Sequence, residues 1–382
     1  MATGTAQISI PLEETTGSTS IATDTLLSAM LRAHGQVSDL IFSPGRVPQI
    51  EVNGELIAIQ ATGLRPLTAD DTRRIASDLI GSNKQAITAL REQGSCDLSY
   101  GLPGRARFRV NVFIQRGSCA VVMRVIPTAI PNLASLGLPA RLEEVSSFRD
   151  GIVLVTGPRN SGKSSTLAAL LDGINRDRVC HIVTIEDPIE FLHNHKRATV
   201  HQRELHSDIP SISLGLRAAL RQVPDVILVS ELRDSETVEM AMEAAETGHL
   251  VLSSLNAADA AKTVERMVAL CSAHEQANIR NRLAKTIRLI VSQRLLPRKD
   301  GSGRVVVSEV LNFNGQVRRC VGEKDFSAHK LVQIVKAAGA EGMQDFDSEI
   351  AKLVRGGIVD SDAAQMHATD PEQLRQALAD LR

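Results

Sequence analysis

The sequence predicts an α/β protein of two parts: a small α+β domain, then a larger domain on a mostly parallel sheet. Three observations carry this. At 382 residues the chain exceeds one usual domain of about 100–200. Its first third alternates apolar and polar residues in short runs, as half-buried strands do. From residue 151 onward, near-continuous apolar runs alternate with helical patterns, which marks parallel strands covered on both faces.

Residues 1–23, rich in Thr, Ser and Gly with little to bury, read as a flexible tail. The first domain spans 24–127. Leu26, Leu27, Met30 and Leu31 fall on one helical face, and Gly35 follows as a stop. Strand-like runs come at 39–42, 49–52 and 55–58, with Asn53-Gly54 between the last two as a hairpin signal. A helix over 68–80 opens at Thr68 with Asp70 and Asp71, and strands return at 107–113 and 120–126. Pro127–Gly137 holds two prolines and no period, which places a linker at 128–137. The second domain is 138–382, ending in a helical region, with strands at 151–155, 181–185, 225–229 and 249–255.

Composition excludes several classes. Hydrophobic residues make up 43%, enough for sizeable cores. Lys and Arg total 43 against 44 Asp and Glu, so nothing pulls the chain toward a phosphate polymer or an anionic membrane. With no Trp, one Tyr and eight Phe, a base-stacking surface is disfavoured, and no nucleic-acid partner is expected. Cys96, Cys119, Cys180, Cys271 and Cys320 are dispersed, off metal-ligand spacing, and read as reduced thiols. No apolar run reaches the roughly 18–20 residues of a membrane span, and no secretory signal opens the chain. The expectation is a cytoplasmic protein without membrane insertion.

Gly157-Pro158-Arg159-Asn160-Ser161-Gly162-Lys163-Ser164, followed by Ser165, fits G-x-x-x-x-G-K-[ST] between an apolar strand and an amphipathic helix. Backbone N–H groups of such a loop and the helix N-terminus face phosphates. Lys163 is assigned to the β and γ phosphates of ATP and Ser164 to Mg²⁺. Ligands of parallel sheets sit at the carboxyl ends of strands. That rule puts Glu186, Asp187 and Glu231 at the nucleotide edge and Asp225 at the far end of its strand, roughly 20 Å away. Glu231 is therefore the acid expected near Mg²⁺ or its waters, and Glu186 the one expected to orient or deprotonate the attacking water.

These motifs resemble those of the secretion and pilus ATPases, and within them the type IV pilus retraction ATPases. Besides the phosphate loop, 184–191 resembles the Asp box, 225–234 the Walker B box and 246–251 the start of the His box. The likeness covers roughly 25–375. It implies a PAS-like first domain, a RecA-like second domain and a ring homo-hexamer with ATP between subunits. It further implies arginine sensors at Arg107, Arg109 and Arg124, an inner-membrane pilus platform protein as partner, and a location peripheral to that membrane. A paralogous pilus ATPase is a further possible partner. The missing four-cysteine zinc insertion points to the retraction branch.

The sequence departs from that pattern at points that touch chemistry. The His box keeps His249 but has Asn256 where the family carries a histidine. An amide donates a hydrogen bond but passes no proton. Arg159 and Asn160 replace Thr and Gly in the phosphate loop, and 316–323 only partly echoes the segment tied to retraction. Two readings follow: a hydrolysing motor that drives retraction, or a hydrolysis-impaired, nucleotide-binding regulator or accessory subunit.

Overall fold

The structure is a computed structural model that describes residues 7–9 (backbone only), 22–60, 64–127, 129–323, 326–339 and 342–379. Its contacts divide the chain into Met1–Thr128 and Ala129–Arg382.

The first unit contains β1 (Gln7–Ser9), α1 (Thr23–Arg32), β2 (Val37–Phe42), β3 (Gln49–Val52), β4 (Glu55–Gln60), α2 (Ala69–Ile80), α3 (Lys84–Gln93), β5 (Ser95–Leu102), β6 (Ala106–Gln115) and β7 (Ser118–Ile126). Its sheet runs β1-β4-β3-β2-β7-β6-β5, antiparallel except for β1 beside β4. Asn53 and Gly54 both take positive φ, which turns β3 into β4 in the hand a tight hairpin requires. Thr68 and Asp71 cap α2 reciprocally, side chain to backbone in each direction. Leu27, Met30 and Ile75 pack on one sheet face against Phe42, Phe108, Val110 and Met123. The short β1 lies inside the stretch expected to be a tail; the open backbone groups of β4 recruit it. The rest of that expected tail lies outside the described residues, apart from Ala22 and Thr23. The pairs α3 and β5 were not anticipated from sequence.

The second unit opens with a 3-10 helix at Ala140–Ser147 and continues with β8 (Gly151–Thr156), α4 (Lys163–Asp177), β9 (His181–Glu186), β10 (Thr199–Glu204), α5 (Ile212–Ala219), β11 (Val226–Val229), α6 (Ser235–Glu246), β12 (Leu250–Leu255), α7 (Ala260–Ala269) and α8 (Gln276–Thr286). There follow β13 (Ile287–Pro297), β14 (Arg304–Asn312), α9 (Gly315–Gly322), α10 (Ala328–Ala337), α11 (Phe346–Arg355), α12 (Ser361–His367) and α13 (Pro371–Ala379). The sheet order is β10-β9-β11-β12-β8-β13-β14, parallel except for β14.

Every residue of β8, β11 and β12 is buried. Ile152 and Leu154 enter the core beneath α6 and α7, while Val153 and Val155 enter the core beneath α4. Burial on both faces, at about 1.5–3 kcal/mol per large aliphatic side chain, keeps this central strand rigid. It ends where the loop leading to α4 begins.

The sequence did not reveal β10, β13 or β14. β10 is an edge strand with only Val200 and Glu204 buried, so it lacks an apolar signature. β13 follows α8 with no intervening turn, so no punctuation separates the two periods.

Candidate functional site

The loop between β8 and α4 is shaped by backbone angles that few residues accept. Gly157 has φ +149°, and a Cβ there would sit 2.5 Å from the Gln293 carbonyl oxygen. Asn160 at φ 61° occupies the left-handed region that asparagine tolerates, and Gly162 follows at φ 88° as the N-cap of α4. The arginine and asparagine substitutions therefore leave the loop's turn intact.

A cleft of about 810 Å³ lies over this loop. Its lining includes 159–168, Glu186, Asp187, Glu190, Ser230, Glu231, Arg233, Asn256 and Gln293. The strand-end rule thus brings together the residues it named from β8, β9, β11 and β12. Lys163 Nζ donates to the carbonyls of Gly157 (3.0 Å) and Pro158 (2.7 Å). Burial lowers its pKa, while Glu231 and Glu190 pull it back up. Ser164 Oγ donates to Glu190 Oε1 at 3.0 Å.

The acids divide by environment. Glu186 is half-buried at the end of β9, with Oε1 accepting from Thr184 Oγ1 (2.6 Å) and Gln202 Nε2 (2.9 Å). Burial pushes its pKa up to about 7 against those two hydrogen bonds. Glu190 is exposed. Glu231 is held at both oxygens: Arg233 Nε donates to Oε2 at 2.9 Å and Asn256 Nδ2 to Oε1 at 2.5 Å. Arg233 also reaches Asp187 Oδ2 at 2.8 Å.

Two named residues lie elsewhere. Asp225 precedes β11 and accepts the His181 N–H at 2.8 Å, at the opposite end of the sheet. His249 precedes β12, with Nδ1 2.9 Å from the Ala244 carbonyl, and does not line the cleft. Arg107, Arg109 and Arg124 belong to the first unit. Arg109 and Arg124 are register partners on β6 and β7, and Arg109 is exposed. Arg124 Nε pairs with the buried Asp39 at 2.9 Å while 72% of its own side chain stays exposed.

Sequence reasoning missed Glu190, Arg233 and Gln293. Glu190 closes the Glu-Asp-Pro-Ile-Glu stretch that Glu186 opens, and Arg233 stands two residues after Glu231, so spacing offered a signal for both. Gln293 offered none. It comes from β13, is 1% exposed, and donates to Thr166 Oγ1 at 2.9 Å.

The residues fit a magnesium nucleotide. The loop leaves Ser161 Oγ buried without a hydrogen-bond partner, the Gly157 position admits no side chain, and α4 turns its N-terminus to the cleft. Among the described residues, no group of three or more His, Cys, Asp or Glu could hold a metal by itself. A hard cation here would therefore need phosphate oxygens and water as well as Ser164.

Residues 92–366 match the family model described as type II/IV secretion system protein. The chain is 39% identical to the type IV pilus retraction ATPase PilT of Pseudomonas aeruginosa over 88% of its own length and 95% of that protein. It is 35% identical to the type IV pilus ATPase PilU of the same organism, over 92% and 89% of the two chains. A crystal structure of the pilus retraction motor PilT with bound ADP superposes with a TM-score of 0.81 at 36% identity, covering 94% of this chain and all of that one. The ATPase DotB of Legionella pneumophila gives 0.79 at 28% identity, covering 95% and 98%.

Proposed function

The chain belongs to the type II/IV secretion system protein family, and we propose that it is an ATP-hydrolysing motor of a type IV pilus that drives retraction. The convergence of Lys163, Ser164, Glu190 and Glu231 in one cleft over a phosphate-binding loop carries this reading. The loop amides and Lys163 hold the β and γ phosphates, Lys163 exchanging its carbonyl partners for them. Ser164 and, through water, Glu231 hold Mg²⁺, which supplies charge neutralisation on the phosphate oxygens. Glu190 takes the water-orienting role that the sequence assigned to Glu186. It is exposed and already reaches Ser164, whereas Glu186 is half-buried and its Oε1 accepts two hydrogen bonds.

The motor is a homo-hexamer in this reading, with Arg107, Arg109 and Arg124 acting on a neighbour's nucleotide. The exposure of Arg109 and Arg124 supports that role. The inner-membrane platform protein is the partner, with a paralogous pilus ATPase as an accessory. Work at the cytoplasmic face agrees with the finding that, among the described residues, no helix is long and apolar enough to cross a membrane.

A second reading, a hydrolysis-impaired regulator, is favoured by the Asn256 amide on Glu231, which carries no transferable charge. Steady-state ATP hydrolysis with Mg²⁺ separates the two. Turnover abolished by Lys163→Ala and by Glu231→Gln, and cut about 100-fold or more by Glu190→Gln, establishes the motor. Nucleotide binding without turnover establishes the regulator.

A further inference from the structure

β13 carries two adjacent side chains with different contacts. Gln293 reaches Thr166 in the first turns of α4, in the floor of the cleft. Arg294 is half-buried and reaches the C-terminal helices. Its guanidinium lies 3.9 Å from the centroid of the Phe346 ring, at the start of α11. Nη1 donates to the carbonyl of His367, the last residue of α12, at 2.5 Å. Nη2 donates to the Ala258 carbonyl at 3.3 Å.

Ala258 lies in the loop between β12 and α7, two residues after Asn256. The far end of that loop is fastened as well. The buried Glu309 of β14 accepts the Ala260 N–H at 2.6 Å. Asp347, one residue after Phe346, accepts the N–H groups of Thr369 (2.7 Å) and Asp370 (3.0 Å), which ties the entry of α13 to α11. At the near end, the Asn256 amide donates to Glu231. One guanidinium therefore joins the C-terminal helices to the short loop whose first residue orients the catalytic-edge acid. Arginine suits this junction because its planar fork serves two carbonyls and an aromatic face together, which a lysine ammonium does not.

We propose that Arg294 is a positioning residue: it couples the seating of α11 and α12 to the orientation of Glu231 through Ala258 and Asn256. This rests on the reading of the cleft as the hydrolytic site. Loosening of the C-terminal helices then releases the Ala258 carbonyl, frees the Asn256 amide and misplaces Glu231, while the phosphate loop is untouched. The C-terminal helices become a point at which a contact outside the cleft sets turnover.

The test is a double-mutant cycle in the full chain. Arg294→Met keeps the bulk of the stem and removes the fork; it lowers kcat by several-fold to about tenfold with KM for ATP nearly unchanged. Arg294→Lys recovers little. In an Asn256→Ala background, Arg294→Met costs little further, because the link is already cut. Equal loss in both backgrounds overturns the coupling, as does a wild-type kcat in Arg294→Met. Phe346→Leu, which removes the ring beneath the guanidinium, gives the same non-additivity where Arg294→Met fails to fold. Hydrogen exchange reads the link without turnover. The peptide spanning 256–260 exchanges several-fold faster in Arg294→Met, and unchanged exchange overturns the proposal even in a chain that does not hydrolyse. A wild-type chain with no turnover but faster exchange in the variant instead overturns only the hydrolytic reading.

Discussion

Glu186→Gln tests the division of labour among the acids. Burial raises the Glu186 pKa from 4.5 to about 7 in the folded chain. The protonated form is favoured by the fold, so its stabilisation is complete below about pH 4.5 and is lost as pH rises through about 7. A shift of that size corresponds to about 3 kcal/mol, an upper limit because the cleft opens Glu186 to water. Glutamine stays neutral at every pH and still accepts from Thr184 and Gln202. The variant and wild type should therefore unfold at similar temperatures near pH 5. At pH 8 the variant should be more stable by up to about 3 kcal/mol, or roughly 5–10 °C in the melting of the second unit. Glu309, also raised by burial to about 7, adds a slope of the same sign to both proteins, so the difference between them is the quantity to read. Thermal unfolding from pH 5 to 8, followed by circular dichroism, measures it, with ATP hydrolysis assayed on the same samples. Parallel curves would refute the burial of a protonatable Glu186. Loss of hydrolysis by about 100-fold would refute the assignment of the water-orienting role to Glu190 and return it to Glu186.

Other outcomes follow from the same geometry. Lys163→Ala removes the cation from the phosphate site and should sharply weaken ATP binding in titration calorimetry; undiminished affinity would sink the phosphate-loop assignment. Gly157→Ala places a methyl 2.5 Å from the Gln293 carbonyl oxygen at a positive φ. It should abolish nucleotide binding and lower stability by about 1–3 kcal/mol, and a variant that binds ATP normally would contradict the close approach. Asn256→His returns an ionisable group to the side of Glu231 and should raise turnover, adding a limb between about pH 6 and 7 to the rate profile. An unchanged profile would show that position 256 does not face the reacting phosphate.

Much of the architecture is legible from local sequence because local physics decides it. The Asn-Gly turn, the Thr68 cap and the apolar central strands each announce themselves within a few residues, and all stand in the structure. The phosphate loop is equally local: its glycines, its lysine and the flanking strand and helix lie within one stretch. The strand-end rule separates Glu231, which lines the cleft, from Asp225 at the opposite end of the sheet, because every parallel strand of such a sheet points its carboxyl end the same way.

What the sequence alone determined, then, is the family, the loop and the edge of the sheet where the cleft opens. Only the tertiary structure decided which acids are available there. Glu186 and Glu190 are near neighbours in the chain, yet Glu186 accepts from Thr184 of its own strand and from Gln202 of β10, whereas Glu190 accepts from Ser164. The Asn256 hydrogen bond to Glu231, the Gln293 contact with Thr166 and the Arg294 fork join residues far apart in the chain. Such pairings carry no spacing signature, because distance along the chain sets neither burial nor the direction of a hydrogen bond; the packing of one element on another does.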